Sequence, residues 1–187
     1  MRTPALITLS IALLAAAVAL PAQAITINGT VTAGATLTAT SVAAPSFSLT
    51  LNGVDQTPTY TLGISVVDAR GIPAGGGSGG WNLTITSTQF SDGSGHTFPA
   101  NASTITGVTS GCGASSTCAA PTNSVGNTSL GVPAAVTAPA AVKYENAASG
   151  SGLGTNTVNA TVQVGVPSNV FAGTYSSTVT VAIIAGP

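Results

Sequence analysis

The sequence predicts an all-β fold, an antiparallel β-sandwich with long loops rich in Gly, Ser and Ala, which follows an N-terminal signal peptide. Apolar and small polar residues alternate with a period of two in several segments, as in strands with one buried and one solvent-exposed face. Thr and Val dominate these segments, and none after residue 24 shows the apolar stripe of an amphipathic helix. Two sheets that pack their apolar faces together bury such strands, so we expect a sandwich.

The first 24 residues are typical of a secretory signal peptide. Arg2 provides a positive start, residues 5–20 are mostly apolar, and Ala22-Gln23-Ala24 matches an A-x-A cleavage site. The apolar run is shorter than the roughly 20 residues that a transmembrane helix needs. We therefore expect cleavage, which leaves residues 25–187 as a single secreted domain without an integral membrane segment.

Alternating segments follow one another along the mature chain. In residues 25–40 every odd position is apolar or Gly and every even position is Thr, Asn or Gly. This pattern predicts strand structure, either within the domain or as a separable N-terminal arm. Further strands are expected around residues 47–51, 60–66, 81–85, 158–166 and 175–183, with weaker strands near 129–132 and 141–144. The rest of the region 107–157 is expected to form long loops.

Charged side chains are scarce, with three Lys or Arg and four Asp or Glu in 187 residues. Nucleic acids and anionic membrane surfaces both require clustered Lys and Arg, which this chain lacks, so we expect neither as a partner. The exposed surface must consist largely of Thr, Ser, Asn and Gly. Such a surface suits a neutral partner rich in hydrogen-bonding groups, such as a glycan, and it equally suits a structural subunit.

The two cysteines, Cys112 and Cys118, predict a disulfide bond that pins a loop, because the chain is expected to enter an oxidising compartment. A metal site lacks further ligands, since the one histidine, His96, lies in a different predicted loop. We therefore expect no metal and no cofactor.

A hydrolase would need a nucleophile, a base and an orienting acid, and His96 with Ser91, Ser94 and Asp92 offers these groups in one Gly-rich turn. We expect nothing in that turn to hold a rigid geometry, and the remaining acids are too scattered for a carboxylate pair. The sequence favours a solvated turn histidine, no catalytic residue and a protein that is not an enzyme.

Two short motifs lie far apart in the chain. The first, Trp81-Asn82-Leu83, stands at the head of a predicted strand. The second, in the C-terminal stretch YSSTVTVAI, comprises Tyr175, Val179, Thr180, Val181 and Ile183. They resemble the motifs of WxL-domain cell-surface proteins of Gram-positive bacteria, which carry W-x-L and then Y-x-x-x-L-T-W-x-L near the C-terminus. This chain looks like a divergent member, because Val181 replaces the second tryptophan and Val179 and Ile183 replace leucines.

The resemblance implies non-covalent attachment to the bacterial cell wall, through peptidoglycan or through other surface proteins. A second hypothesis is a subunit of an extracellular filament or pilus, which self-assembles when residues 25–40 of one copy complete the sheet of a neighbour. For Trp81, alternation with Leu83 favours a core position over a contact with a partner. The binding surface is then expected in the loops at 71–80 and 107–157.

Overall fold

The computed structural model describes residues 29–71 and 79–186. The chain divides into two units, Met1–Val31 and Thr32–Pro187. Only residues 29–31 of the first unit are described, and the architecture below is that of the second. The predicted signal peptide, the first residues of the predicted arm and most of the loop at 71–80 lie outside the described residues.

Within the described residues the chain forms nine strands and no helix, which confirms the predicted all-β class. The strands are β1 (Leu37–Ser41), β2 (Thr59–Asp68), β3 (Trp81–Thr88), β4 (Ser103–Cys112), β5 (Leu130–Gly131), β6 (Ala134–Ala135), β7 (Val142–Ala147), β8 (Gly154–Val164) and β9 (Val179–Ala185). In this part of the chain there is accordingly no helix long and apolar enough to span a bilayer.

The strands form two sheets that pack as a sandwich. The first sheet has the strand order β1-β2-β8-β4-β5, and all its pairs are antiparallel. The second sheet has β3 at its centre, with β9 on one side and β7 and β6 on the other. The short pairing of β6 with β3 is parallel, unlike every other pairing between described strands.

Alternate side chains of both sheets fill the space between them. In β2 the even positions Leu62, Ile64 and Val66 are buried, whereas in β3 the odd positions Leu83 and Ile85 have no exposed surface. This is the period of two that the sequence predicts. Each of the larger side chains contributes on the order of 2 kcal/mol through burial, so this inner layer is the main source of stability.

Residues 47–51 differ from the prediction, because they are extended but belong to no strand. The side chains of Phe47, Leu49 and Leu51 are half-buried and alternate with exposed neighbours, as a strand would require. However, the backbone groups of residues 44–51 form no backbone hydrogen bond within the described residues. Alternation predicts which side chains are buried, whereas a strand also requires a neighbouring backbone.

Strand β4 was not expected, since its second half lies in the predicted loop region after residue 107. The pairing of β4 with β8 shifts register between Ile105 and Gly107. Such a bulge places one extra residue in the strand and thereby interrupts the alternation on which the prediction depended.

The predicted disulfide bond between Cys112 and Cys118 is present, with 5.4 Å between the Cα atoms. It joins the end of β4 to the loop that follows. Backbone hydrogen bonds from Gly113 to Thr155 (2.9 Å) and from Ala119 to Leu153 (3.1 Å) hold the same loop against the start of β8. The crosslink therefore pins a loop, as its position in the sequence predicts.

Candidate functional site

The two sequence motifs lie on neighbouring strands of the second sheet. Strand β3 carries the first motif and pairs antiparallel with β9, which carries most of the second. Leu83 is opposite Ile183 and Ile85 is opposite Val181. The fold thus brings together segments that are widely separated in the sequence.

Trp81 lies in the core. None of its surface is exposed, and its indole Nε1 donates a hydrogen bond to the carbonyl oxygen of Gly152 at 3.0 Å. A buried tryptophan usually requires such a partner for its N–H group. In this conformation the ring has no surface that a ligand could reach.

The other motif residues divide into two groups. Val179, Val181 and Ile183 are half-buried and pack against the main core, whereas the Thr180 side chain is exposed. Tyr175 lies before β9, where its ring stacks on Phe98 with 4.4 Å between the ring centroids. Of the two aromatic residues in the motifs, Trp81 and Tyr175, only Tyr175 borders an open space.

That space is a groove of about 1270 Å³, here called the aromatic groove. It is lined by residues 44–51, by residues 170–177 and by parts of β1, β2 and β9. Small-molecule pockets usually have volumes of about 300–1,000 Å³. The aromatic groove is larger, which suits an extended ligand more than a single small molecule.

The groove concentrates the aromatic residues of a chain that has few of them. Its lining includes six of the eight Phe, Tyr and Trp residues, all eight of which the structure describes: Phe47, Tyr60, Phe90, Phe98, Phe171 and Tyr175. Five of these rings form one continuous series, in which neighbouring centroids are 4.4 to 6.4 Å apart. Contacts at such distances stabilise the series and give this end of the sandwich an aromatic second core.

The groove is uncharged. Among the described residues that line it none is Asp, Glu, Lys, Arg or His, and eight are Ser or Thr. Transferring an ionised group from water to such surroundings is costly, whereas neutral hydroxyl and amide groups find hydrogen-bond partners there. The lining therefore selects for a neutral, polar ligand with apolar faces.

Phe171 marks the mouth of the groove. Its side chain is 63% exposed, and the ring stacks on His96 with 4.0 Å between centroids and 27° between planes. The Tyr175 hydroxyl donates to the Phe171 carbonyl oxygen at 3.1 Å. Phe171 is thus held by neighbours while much of its ring faces solvent.

Asp92 organises the turn that carries His96. Its Oδ1 accepts hydrogen bonds from the backbone N–H groups of Ser94 (2.8 Å) and His96 (3.1 Å), and Oδ2 lies 2.5 Å from His96 Nδ1. The hydrogen bond from His96 holds the pKa of Asp92 below its usual value. The expectation that nothing in this turn fixes a geometry is therefore wrong, because an aspartate that caps its own turn orders the loop.

The same turn does not assemble a nucleophile with a base. The Ser91 hydroxyl oxygen accepts from the backbone N–H of Gly93 at 3.1 Å, and within the described chain neither Ser91 nor Ser94 bonds to His96. Residues 29–71 and 79–186 contain no group of three or more His, Cys, Asp or Glu side chains that could hold a metal ion.

Two buried carboxyl groups lie outside the groove. Burial raises the pKa of Asp68, but two hydrogen bonds from the Arg70 guanidinium (2.8 and 2.7 Å), a third from the Arg70 backbone N–H (3.1 Å) and the Arg70 charge together outweigh burial and lower the pKa. Arg70 also donates to the carbonyl oxygen of Gly80 at 2.7 Å. Glu145 has no cationic partner within the described residues, and burial raises its pKa despite hydrogen bonds from Ser110 and Asn127. Both groups hold loops rather than face the groove.

The sequence predicts a binding surface in other loops, at 71–80 and 107–157. Residues 72–78 lie outside the described residues, and no described residue of the region 107–157 lines the aromatic groove. The sequence offered His96 only as a candidate base or metal ligand, and no pattern singled out Phe171. A signal was present in the sequence, because aromatic residues make up only 4% of the chain and Phe90, Phe98 and Phe171 all lie outside the predicted strands.

No family model matches the chain, and neither the curated proteins nor the solved structures include a significant match.

Proposed function

We propose that this protein is a secreted, non-enzymatic module that attaches non-covalently to the bacterial cell wall, with peptidoglycan as the polymer it holds. The observation that carries the proposal is the aromatic groove, which combines aromatic rings with Ser and Thr hydroxyl groups and has no charged residue in its described lining. Wall polysaccharide presents the matching chemistry, since each sugar ring has an apolar C–H face and a periphery of hydrogen-bonding groups.

The resemblance of the two motifs to those of WxL-domain proteins supports the same function. In that interpretation Trp81 is structural because it is buried, whereas Val179 and Val181 pack against the core and also line the groove. The groove formed in part by Tyr175 then supplies the contact with the wall. Attachment through a folded surface also agrees with a chain that is expected to be exported.

Retention on insoluble peptidoglycan tests the proposal. The purified mature protein is mixed with sacculi at low and at high salt, and bound protein is measured after sedimentation. Raising the salt from 0.1 M to 1 M shortens the screening length from about 10 Å to about 3 Å, which weakens binding between charges. We expect retention that changes little with salt, because the groove is uncharged. Absence of retention, or its loss at high salt, would contradict the proposal.

A second candidate function is that of a filament subunit. One observation favours it: the backbone of residues 44–51 runs extended beside the groove without a backbone partner among the described residues. Such a segment can pair with an added strand from a neighbouring copy. The predicted donor is already used in part, since residues 37–41 pair with β2 of the same chain. Filaments in electron micrographs of purified protein that does not bind sacculi would favour this candidate.

A further inference from the structure

We propose that Phe171 is a sugar-stacking platform, so that the aromatic groove holds the glycan strand of peptidoglycan and not its stem peptides. This inference rests on the proposed attachment to the wall and names the part of the polymer that is recognised. It is carried by the position of one exposed aromatic ring and by the absence of charged residues from the described lining of the groove.

The first step concerns the ring itself. Phe171 is the most exposed aromatic residue of the groove, at 63%, yet its ring rests on His96 and its carbonyl oxygen accepts from Tyr175. An aromatic side chain that is held in place before binding loses little conformational entropy when a ligand stacks on it. The ring is therefore both accessible and preorganised.

The second step concerns hydrogen bonding beside the ring. His96 Nδ1 lies against the carboxylate of Asp92, which accepts the Nδ1 proton. The other ring nitrogen, Nε2, forms no hydrogen bond with a described residue and is left to pair with a ligand at the mouth of the groove.

The third step separates glycan from peptide. Stem peptides carry ionised carboxylate and amino groups, and the described lining of the groove has no opposite charge to compensate for their loss of water. Glycan strands offer neutral hydroxyl and acetamido groups instead. Ser46 and Ser48 on one side of the groove and Thr174 and Ser176 on the other can hydrogen-bond them. The volume of about 1270 Å³ accommodates consecutive sugar units.

The test uses a soluble β-1,4-linked N-acetylglucosamine tetramer, which contains the glycan chemistry without any peptide. Calorimetric titration gives the dissociation constant for the wild type, Phe171→Ala and Phe171→Trp. We expect Phe171→Ala to weaken binding about tenfold or more and Phe171→Trp to preserve it, because the indole offers an equivalent face. The matched control is Val136→Ala, since Val136 is 85% exposed but does not line the groove. Emission from buried Trp81 checks that Phe171→Ala and Val136→Ala are folded, and far-UV circular dichroism checks Phe171→Trp, which carries a second tryptophan.

The outcomes distinguish this inference from the proposed function. Retention on sacculi without binding of the tetramer would overturn the glycan assignment and leave wall attachment standing. Tetramer binding that survives Phe171→Ala within about twofold would overturn the role of the ring. Binding of the tetramer through Phe171 without retention on sacculi would support the inference and contradict the proposed function. Filaments whose assembly fails in Phe171→Ala would show that the groove takes a strand of a second copy, which also overturns the inference.

Discussion

Substitution of Gly152 by alanine should destabilise the fold strongly, although it adds one methyl group. Gly152 has φ of +73°, in the left-handed region, and its carbonyl oxygen accepts hydrogen bonds from Trp81 (3.0 Å) and Asn156 (2.8 Å). A Cβ atom at this position would overlap the indole Nε1 of Trp81 and lie 2.5 Å from the Cβ of Ala147. Both neighbours are fully buried, so neither can move away freely.

The expected loss follows from these two effects. The left-handed conformation costs a residue with a Cβ about 1–2 kcal/mol relative to glycine. Overpacking a filled core costs about 1–3 kcal/mol more. The free energy of unfolding should therefore fall by about 2–5 kcal/mol. At about 2–4 °C per kcal/mol for a domain of this size, a loss of 3 kcal/mol lowers Tm by about 6–12 °C.

Urea unfolding monitored by fluorescence measures this loss, because Trp81 is the only tryptophan of the chain and lies beside the substituted position. The matched control is Gly173→Ala, since an added Cβ there would have no heavy atom within 4 Å. The control should remain within about 0.5 kcal/mol of the wild type. A Gly152→Ala protein that also stays within about 0.5 kcal/mol would refute the packing assigned to Trp81.

Three further substitutions test the buried polar groups and the crosslink by urea unfolding. Because burial raises the pKa of Glu145, the free energy of unfolding of the wild type should fall as the pH rises above about 4. Glu145→Gln should remove that fall. A variant whose stability depends on pH in the same way as that of the wild type would contradict the burial of Glu145. Arg70→Ala leaves Asp68 buried without its partner and should cost about 3 kcal/mol at neutral pH. Because the pKa of Asp68 is lowered, the difference in stability between the wild type and Arg70→Ala should shrink as the pH falls through that pKa. A difference that stays constant with pH would argue against the Asp68–Arg70 ion pair. Replacing both Cys112 and Cys118 by alanine should lower the free energy of unfolding by about 2 kcal/mol, and reduction of the wild type should lower it by the same amount. If only one of the two treatments lowered the stability, the stabilising role of the disulfide would be contradicted.

The sequence predicted the strands whose apolar residues alternate most regularly. In β2 and β8 buried side chains alternate with more exposed ones along most of the strand, and in β3 the apolar residues alternate although Asn82 and Thr86 on the opposite face are buried as well. Residues 47–51 show the limit, since their side chains alternate but their backbone forms no hydrogen bond with another described backbone segment. Strand β4 shows the opposite limit. Its bulge interrupts the alternation, so the sequence pattern does not predict a strand that is present.

The candidate site was predicted less well than the fold. Phe171 and His96 stack on each other although they are far apart in the chain, and spacing in a sequence does not predict such a meeting. The turn at Asp92 contains Gly93 and Gly95, which suggested flexibility, yet the carboxylate of Asp92 orders it through backbone hydrogen bonds. Short-range patterns describe strands, whereas this site depends on contacts that form only when the sandwich closes.

The pairing of β3 with β9 also determines when folding can finish. Asn82, next to Trp81, donates its side-chain amide to the carbonyl oxygen of Gly186, which lies 104 positions later in the chain. Domains dominated by such distant pairings fold in milliseconds to seconds, slowly compared with helical bundles. While the chain is being synthesised, the central strand of the second sheet can complete its pairing only after β9 has been made. Until then one edge of β3 stays uncovered, so the second sheet closes late in folding.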